Sequence, residues 1–509
     1  MRSIRNKKRK IVLRFVLFVI SLLLFACSNP ESSKLTGSRP NIIFILADDM
    51  GWADLPVYGN KFNEAPVLTK MAEEGIRFTN AYAACPVCSP SRAAIMSGQY
   101  PARVGIIDFI TGHWRPYEEL VVPKNRIQYL PLEIYTLGEL MKDAGYVTGY
   151  FGKWHLGRTE KYYPKHQGFD VSNVYKGGGY FNVARKLDPN IDVAPDILLS
   201  KALTKLSLDF IDKNKDKPFF LSLDHFDVHV QLDADSSAIQ KYLHKEKVAG
   251  YPCNAVYAAM VENVDNSVGE ILNKLKELHL DKKTIVFFFS DNGGLISRFD
   301  KIPLIDKSKR YIYEGDTLLY IATSNLPLRG EKGTLYEGGI REPLIAWWPG
   351  KIKSGTVSDA IITGVDFFPT FAELAGIKLP DYQVFDGKSF INVLEGRGYD
   401  KNRAIYWHYP VYHHSVPASA VRKGDWKLIH FLNDNHKELY NLKEDIGETE
   451  DVSGKFPEKV NELYQLLDMW RKSCNAAMPV KNWRFDPARR YEWGRPNRRA
   501  VWGNNTGSK

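Results

Sequence analysis

Asn41-Ile-Ile-Phe-Ile-Leu46-Ala47-Asp48-Asp49 is the stretch on which the fold turns. Its apolar run does not alternate, so the strand it predicts must be covered on both faces, and it stops at two carboxylates. Pro218-Phe-Phe-Leu-Ser-Leu223 and Thr284-Ile-Val-Phe-Phe-Phe289 repeat the pattern, the latter followed by Asp291-Asn292. Between these runs the residue pattern predicts helices over Leu68–Glu74, Thr136–Ala144, Pro195–Lys213 and Ala255–Leu278. In the last of these, Val256, Met260, Val264, Val268 and Leu272 recur at helical spacing. Buried strands alternating with amphipathic helices predict an α/β fold, with a large, mostly parallel mixed sheet sandwiched by helices.

After Leu394 the texture changes. Ala404–Tyr409, Ala418–Arg422 and Trp426–Phe431 are short strand-like runs split by turn residues, and a helix is expected over Glu458–Lys472. The expected organisation is therefore a leader over 1–26, a tether over 27–40 and a catalytic domain over 41–395. A smaller subdomain of antiparallel sheet plus helix, with a basic tail, follows over 396–509.

The leader reads as a targeting segment. Arg2, Arg5, Lys7, Lys8, Arg9, Lys10 and Arg14 precede or interrupt an apolar run that ends in Leu24-Phe25-Ala26-Cys27. That ending resembles the lipobox of bacterial lipoproteins, which implies lipidation of Cys27, export, and anchoring at the outer membrane. The chain carries a formal charge of +10, and removal of those seven cations leaves +3. The basicity thus belongs largely to targeting, and no nucleic-acid partner is expected. Five cysteines, with no metal-ligand spacing, offer no disulfide framework.

The chemistry is concentrated in Cys88-Ser89-Pro90-Ser91-Arg92-Ala93-Ala94-Ile95-Met96-Ser97-Gly98. A buried structural cysteine ahead of a helix would account for the placement but not for so long a pattern. This run resembles in full the signature of the type I, formylglycine-dependent sulfatases, members of the alkaline-phosphatase-like superfamily. The resemblance extends to Gly152-Lys153-Trp154-His155-Leu156-Gly157 and to the segment from Leu328 to Arg341 that holds Lys332. It implies that a maturase oxidises Cys88 to formylglycine, whose hydrate attacks sulfur with one hydroxyl and expels sulfate with the other. It further implies one calcium ion on Asp48, Asp49, Asp291 and Asn292, beside the modified Cys88; an oxygen-only set suits a hard cation. Lys153 and Lys332 are expected on the sulfate, Arg92 and His155 on the formylglycine, and His229 as the acid that protonates the leaving sugar oxygen. The family usually has proline two residues after that histidine, where this chain has Gln231, and residues Ser297–Tyr320 look like an insertion.

The implied substrate is a sulfated carbohydrate, with an exo action on galactose or N-acetylgalactosamine 4-sulfate as the first choice. His113, Trp114, Arg115, His225, His413 and His414 are its candidate contacts, though each also reads as a core or turn residue. Two other readings stand beside this one: a phosphatase or phosphodiesterase of the same superfamily, and a non-catalytic glycan-binding lipoprotein.

Overall fold

The computed structural model describes residues 35–112, 115–298 and 302–494. The leader with Cys27, most of the tether, His113, Trp114 and the end of the basic tail lie outside these residues. The described residues from Thr36 onward form one compact unit.

In chain order the strands of its first three-quarters are β1 (Asn41–Ala47), β2 (Ile76–Tyr82), β3 (Leu120–Val121), β4 (Val147–Lys153), β5 (Val171–Tyr175), β6 (Leu187–Asp188), β7 (Phe219–Asp224), β8 (Thr284–Ser290), β9 (Arg341–Trp347), β10 (Thr356–Ser358) and β11 (Ile362–Thr363). All but β3 join one ten-stranded sheet, ordered β10-β2-β9-β8-β1-β7-β4-β5-β6, with β11 beside β2. Strand β1 lies between β7 and β8 and is parallel to both, with Leu46 level with Asp224 and with Phe289. Antiparallel pairing is confined to β9 with its two neighbours and to β5 with β6. The sheet is thus mixed and mostly parallel, as its apolar runs predicted.

Both faces are covered. The longer helices are α1 (Pro66–Glu74), α2 (Cys88–Ser97), α3 (Leu137–Asp143), α4 (Leu199–Asn214), α5 (Ser236–His244), α6 (Ala255–Glu277) and α7 (Phe367–Ala375). Ile43 and Ile45 share one core with Leu203, Val264 and Val268 of α4 and α6. Phe44, pointing to the other face, meets Phe367 of α7 edge-on, with ring centroids 4.8 Å apart. Two-sided burial is why β1 shows no polar alternation. Helix α3 is closed by Thr136, whose hydroxyl accepts from Glu139 N while Glu139 caps in return.

Helix α4 starts at Leu199 rather than at the expected Pro195. The Pro195 carbonyl accepts from Asn182 N, and Leu199 N donates to Tyr180 O, so this backbone is engaged by a neighbouring loop. The remaining strands are β12 (Ala404–Tyr409), β13 (Ala418–Lys423), β14 (Trp426–Phe431) and β15 (Lys437–Asn441), followed by β16 (Val480–Lys481). Strands β12 to β15 form an antiparallel meander in sequence order, and helix α8 (Pro457–Ser473) packs on it. The meander is joined to the larger sheet beside the cysteine motif, where Trp407 Nε1 donates to Ala83 O at 2.8 Å. Strand β16 pairs with β3. Among the described residues no helix is long and apolar enough to cross a membrane, and Cys85, Cys88, Cys253 and Cys474 are all unbridged and buried.

Candidate active site

Parallel strands deliver their carboxyl ends to one edge of the sheet, where open α/β folds bind ligands. At that edge β1 runs into Asp48 and Asp49, β8 into Asp291 and Asn292, β7 into Asp224, and β4 into Lys153 and His155. Helix α2 begins there with Cys88, which is only 2% exposed.

Arg92 lies one helical turn after Cys88 and is wholly buried among the carboxylates. Its Nε donates to Asp291 Oδ2 at 2.7 Å, and its Nη1 to Asp224 Oδ2 at 3.0 Å and to Lys153 O at 2.7 Å. Asp48 Oδ1 is 3.9 Å from Nη2. Burial opposes the charge, but Asp291, Asp48 and Asp224 together hold the guanidinium pKa well above its usual value. Lys153 Nζ contacts Asp48 Oδ2, and Lys332 Nζ bonds both oxygens of Asp49 at 2.6 and 2.7 Å. Burial works against ionisation of Asp49, yet Lys332, with His229 and Lys153, keeps that carboxyl well below the ordinary range.

The two histidines are held differently. His155 Nδ1 is 3.3 Å from Cys88 Sγ, while its Nε2 is 2.6 Å from the Ile110 carbonyl. A carbonyl only accepts, so the proton sits on Nε2 and Nδ1 is left as an acceptor toward Cys88. Burial, then Lys153, pushes the His155 pKa well below its usual value, so the ring is neutral and able to accept a proton. His229 donates from Nδ1 to Val230 O at 2.5 Å, and its Nε2 is 3.6 Å from Asp49 Oδ2. Burial lowers its pKa to about 3. His155 and Asp49 both adopt left-handed backbone at φ 56° and 63°, a conformation that costs a non-glycine residue energy and tends to cluster at functional sites. Gly152 must be glycine, because a Cβ there would stand 1.8 Å from Asp224 O.

The donor set at these strand ends has unsatisfied atoms. Asn292 uses its Nδ2 on Asp49 Oδ1 at 2.8 Å and on Gly293 O, leaving its buried Oδ1 with no hydrogen-bond partner. Asp48 Oδ1 is also buried without one. Burying such acceptors costs about 1–3 kcal/mol each unless a cation takes up the lone pairs. Two orphaned oxygens at adjacent strand ends therefore fit a hard divalent ion. Asp48, Asp49 and His229 each bring a ligand atom within 4.8 Å of the others, whereas Asp291 faces Arg92. His229 was not expected among ligands, and an imidazole nitrogen is a poor donor for a hard ion.

A protein-family model described as Sulfatase matches residues 40–377. The chain belongs to the sulfatase family. A second model, the C-terminal region of N-sulphoglucosamine sulphohydrolase, matches residues 330–472. Among curated relatives, a sulfatase of Formosa agariphila is 31% identical over 95% of this chain and 95% of its own length. The N-acetylgalactosamine-6-sulfatase of Canis lupus familiaris is 34% identical over 82% of this chain and 76% of its own. Among solved structures, Ps i-CgsB in complex with k-i-k-neocarrahexaose superposes with a TM-score of 0.69 at 28% identity, covering 85% of this chain and 92% of that one. A sulfatase from Pseudoalteromonas sp. gives 0.67 at 25% identity, covering 88% and 95%. The protein is thus a sulfuric ester hydrolase with the alkaline-phosphatase-like architecture expected from the sequence.

Several expected substrate contacts of this sulfatase need correction. His225 has no exposure and bonds Ser267 Oγ on α6 through Nε2 at 3.0 Å, so it packs in the core and cannot touch a sugar. His413 is buried against Gly333, whose missing Cβ leaves room for the ring. His414, which is partly exposed, places Nδ1 2.9 Å from Lys332 O and Nε2 3.0 Å from Ser297 O, so it braces the Lys332 loop. Arg115 bonds His413 O at 3.2 Å and lies 4.4 Å from the Trp493 ring, which makes it an internal strut. His113 and Trp114 lie outside the described residues. Asp224, absent from the sequence candidates, could have been found by the rule that exposed Asp48: an acid ending a buried apolar run.

Proposed function

We propose that this sulfatase removes sulfate from a galacto-configured sugar, with Cys88 oxidised to formylglycine and one calcium ion at the strand ends. The orphaned Asp48 and Asn292 oxygens beside Cys88 carry the proposal. As a thiol Cys88 is a poor nucleophile, because burial pushes its pKa up. The formylglycine hydrate would supply one hydroxyl to attack sulfur and a second to release sulfate, which a thiol cannot do. Asp48, Asp49, Asp291 and Asn292 would hold the ion, which when bound would polarise the ester and lower the charge on the nucleophile's oxygen.

The chain's own groups do the rest. The start of α2 favours an anion at residue 88. Lys153 and Lys332, now resting on Asp48 and Asp49, would turn their ammonium groups to the sulfate oxygens, and Arg92 would orient the hydrate. His155 would take the proton of the remaining hydroxyl at Nδ1, and His229, with its Nδ1–H held on Val230 O, would give the departing sugar oxygen a proton that its Nε2 has first taken from solvent.

Charge balance favours a sulfate monoester. The carboxylates of Asp48, Asp49, Asp224 and Asp291 exceed the cations Arg92, Lys153 and Lys332 by one negative charge. A dication makes the site +1, which a sulfate monoester neutralises. A phosphate monoester with nearly two charges would leave an excess negative charge buried, which is costly.

For the sugar, the sequence reading put the sulfate on C4 of galactose or N-acetylgalactosamine. The relatives named N-acetylgalactosamine-6-sulfatase support C6 of N-acetylgalactosamine as the position to try beside it. A panel of sulfated galactose, N-acetylgalactosamine, glucosamine and uronate substrates tests this, and turnover confined to the last two would overturn it. Calcium should raise the melting temperature of the wild type, by an amount set by RT ln(1+[L]/Kd), about 2.7 kcal/mol of stabilisation at a hundredfold excess over Kd. It should raise that of Asp48→Asn much less; an equal rise in both would remove Asp48 from the ion. Export and lipidation at Cys27 are part of the proposal, and labelled fatty acid should enter the wild type but not Cys27→Ala.

A further inference from the structure

His229 stands in a loop with no regular secondary structure, so its neighbours must fix the imidazole. On one side Phe226 stacks on the ring with centroids 4.7 Å apart, and Tyr180 OH donates to the His229 carbonyl at 2.5 Å. On the other side, the residues just after it are joined to a segment far along the chain. Gln231 Nε2 donates to Pro303 O at 3.1 Å. Leu232 N donates to Leu304 O at 2.8 Å, Asp306 N returns a bond to Leu232 O at 2.9 Å, and Leu232 forms a parallel bridge with Ile305. Leu232, Leu304 and Ile305 are wholly buried.

The far end of that segment is anchored in turn. Tyr313 OH accepts from Ala255 N at 2.6 Å, and Asn254 Nδ2 donates to Leu318 O and Ile321 O at 3.1 and 2.9 Å. Asn254 is the N-cap of α6, the longest helix, so residues 302–320 are tied to a rigid element. A long stretch with only short 3-10 turns is uncommon in a compact domain unless it serves a purpose. Here its inner edge runs along residues 231–233, directly beyond His229.

We propose that Gln231 is a positioning residue for His229, and that residues 302–320 are the support it pulls against. The inference rests on the reading of His229 as the proton donor. Gln231 touches neither the carboxylates nor Cys88. Its amide fixes the far end of a three-residue span whose near end carries the imidazole. A proton donor must come within hydrogen-bond reach of the bridging oxygen, and an error near 1 Å costs about a hundredfold in rate.

The test is a double-mutant cycle on the best-turned-over sugar of the panel, with formylglycine content matched by mass spectrometry. Gln231→Ala should lower kcat by about tenfold to a hundredfold, leaving KM and the melting temperature near wild type. Gln231→Glu, which keeps the size but loses the donor, should do the same. His229→Ala should be slower still, and adding Gln231→Ala to it should cost nothing more, because there is no imidazole left to place. Unchanged kcat in Gln231→Ala, or losses that multiply in the double variant, would overturn the proposal. Wild-type turnover by His229→Ala would instead remove the acid assignment on which it rests.

Discussion

Of the clusters of buried charge among the described residues, two differ in what they leave unpaired. At the strand ends, Asp48, Asp49 and Asp291 face Arg92, Lys153 and Lys332, yet Asp48 Oδ1, Asn292 Oδ1 and Arg92 Nη2 have no hydrogen-bond partner. Where the small sheet meets the large one, Lys427 of β14 sits between two glutamates at full burial. Its Nζ is 2.8 Å from Glu337 Oε1 and 2.8 Å from Glu448 Oε1. Glu337 also accepts from Tyr82 OH at 2.7 Å and Arg341 Nη1 at 3.2 Å, and its backbone N donates to Glu448 Oε2 at 2.7 Å. The second cluster spends most of its polar atoms internally, with Glu448 Oε1 held only as an ion-pair partner of Lys427, and it joins two sheets. The first leaves acceptors open on two neighbouring strand ends. Buried charge alone does not mark a site; what sets the first cluster apart is that unsatisfied oxygens from two strand ends gather with Lys153, Lys332 and Arg92 at the carboxyl edge of the sheet.

The contrast can be broken at its strongest point. Cys88→Ala should abolish turnover, by at least about four orders of magnitude, as loss of a nucleophile does in other hydrolases. Its melting temperature should stay near wild type, because a small side chain replaces a small one. Sulfate release and a thermal melt check both halves, and retained activity would detach the open cluster from catalysis.

Lys427→Met should do the reverse. Removing the only ammonium between two buried glutamates should destabilise the fold by about 3–5 kcal/mol. Urea denaturation reads that loss, while kcat per folded molecule should hold. A variant as stable as wild type would show that the inner cluster holds nothing together.

The finest distinction is in pH dependence. Burial raises Glu448 to about 7 despite Lys427, whereas Lys427 and Arg341 overcome burial to hold Glu337 below its usual range. The two share one lysine and titrate as a unit. A raised folded pKa means that the Glu448 contribution is complete below about 4.5 and fades as pH rises through about 7. A depressed one means that the Glu337 contribution is present above that value and is lost as pH falls. Glu448→Gln should therefore cancel the decline on the alkaline side, gaining on the order of 1 kcal/mol over wild type above pH 7. Denaturation midpoints across pH measure this, and parallel profiles would refute it.

Much of this could be read in advance. The apolar runs of β1, β7 and β8 showed themselves because strands covered on both faces cannot alternate. The helical pattern over Thr136–Ala144 anticipated α3 because such a pattern, like the Thr136 cap that closes its start, is local. Strand β9 was missed, since Arg341, Glu342 and Pro343 at its start look like surface or turn residues. Glu337, Lys427 and Glu448 were missed for a related reason: in sequence a buried ion pair looks like solvated charges until the distant partner is known. His413, His414 and Arg115 were misjudged because a histidine or arginine that braces a loop has the composition of one that meets a sugar.

The sequence by itself determined the family, the motif that opens the helix at Cys88 and the acids that end two buried strands, because each depends on neighbours within about a dozen residues. Only the tertiary structure decided which polar groups are spent on one another and which keep a lone pair spare. It alone tied Gln231 to Pro303, 72 residues away. Satisfaction of a polar atom depends on distance in space, and the chain order does not carry that distance.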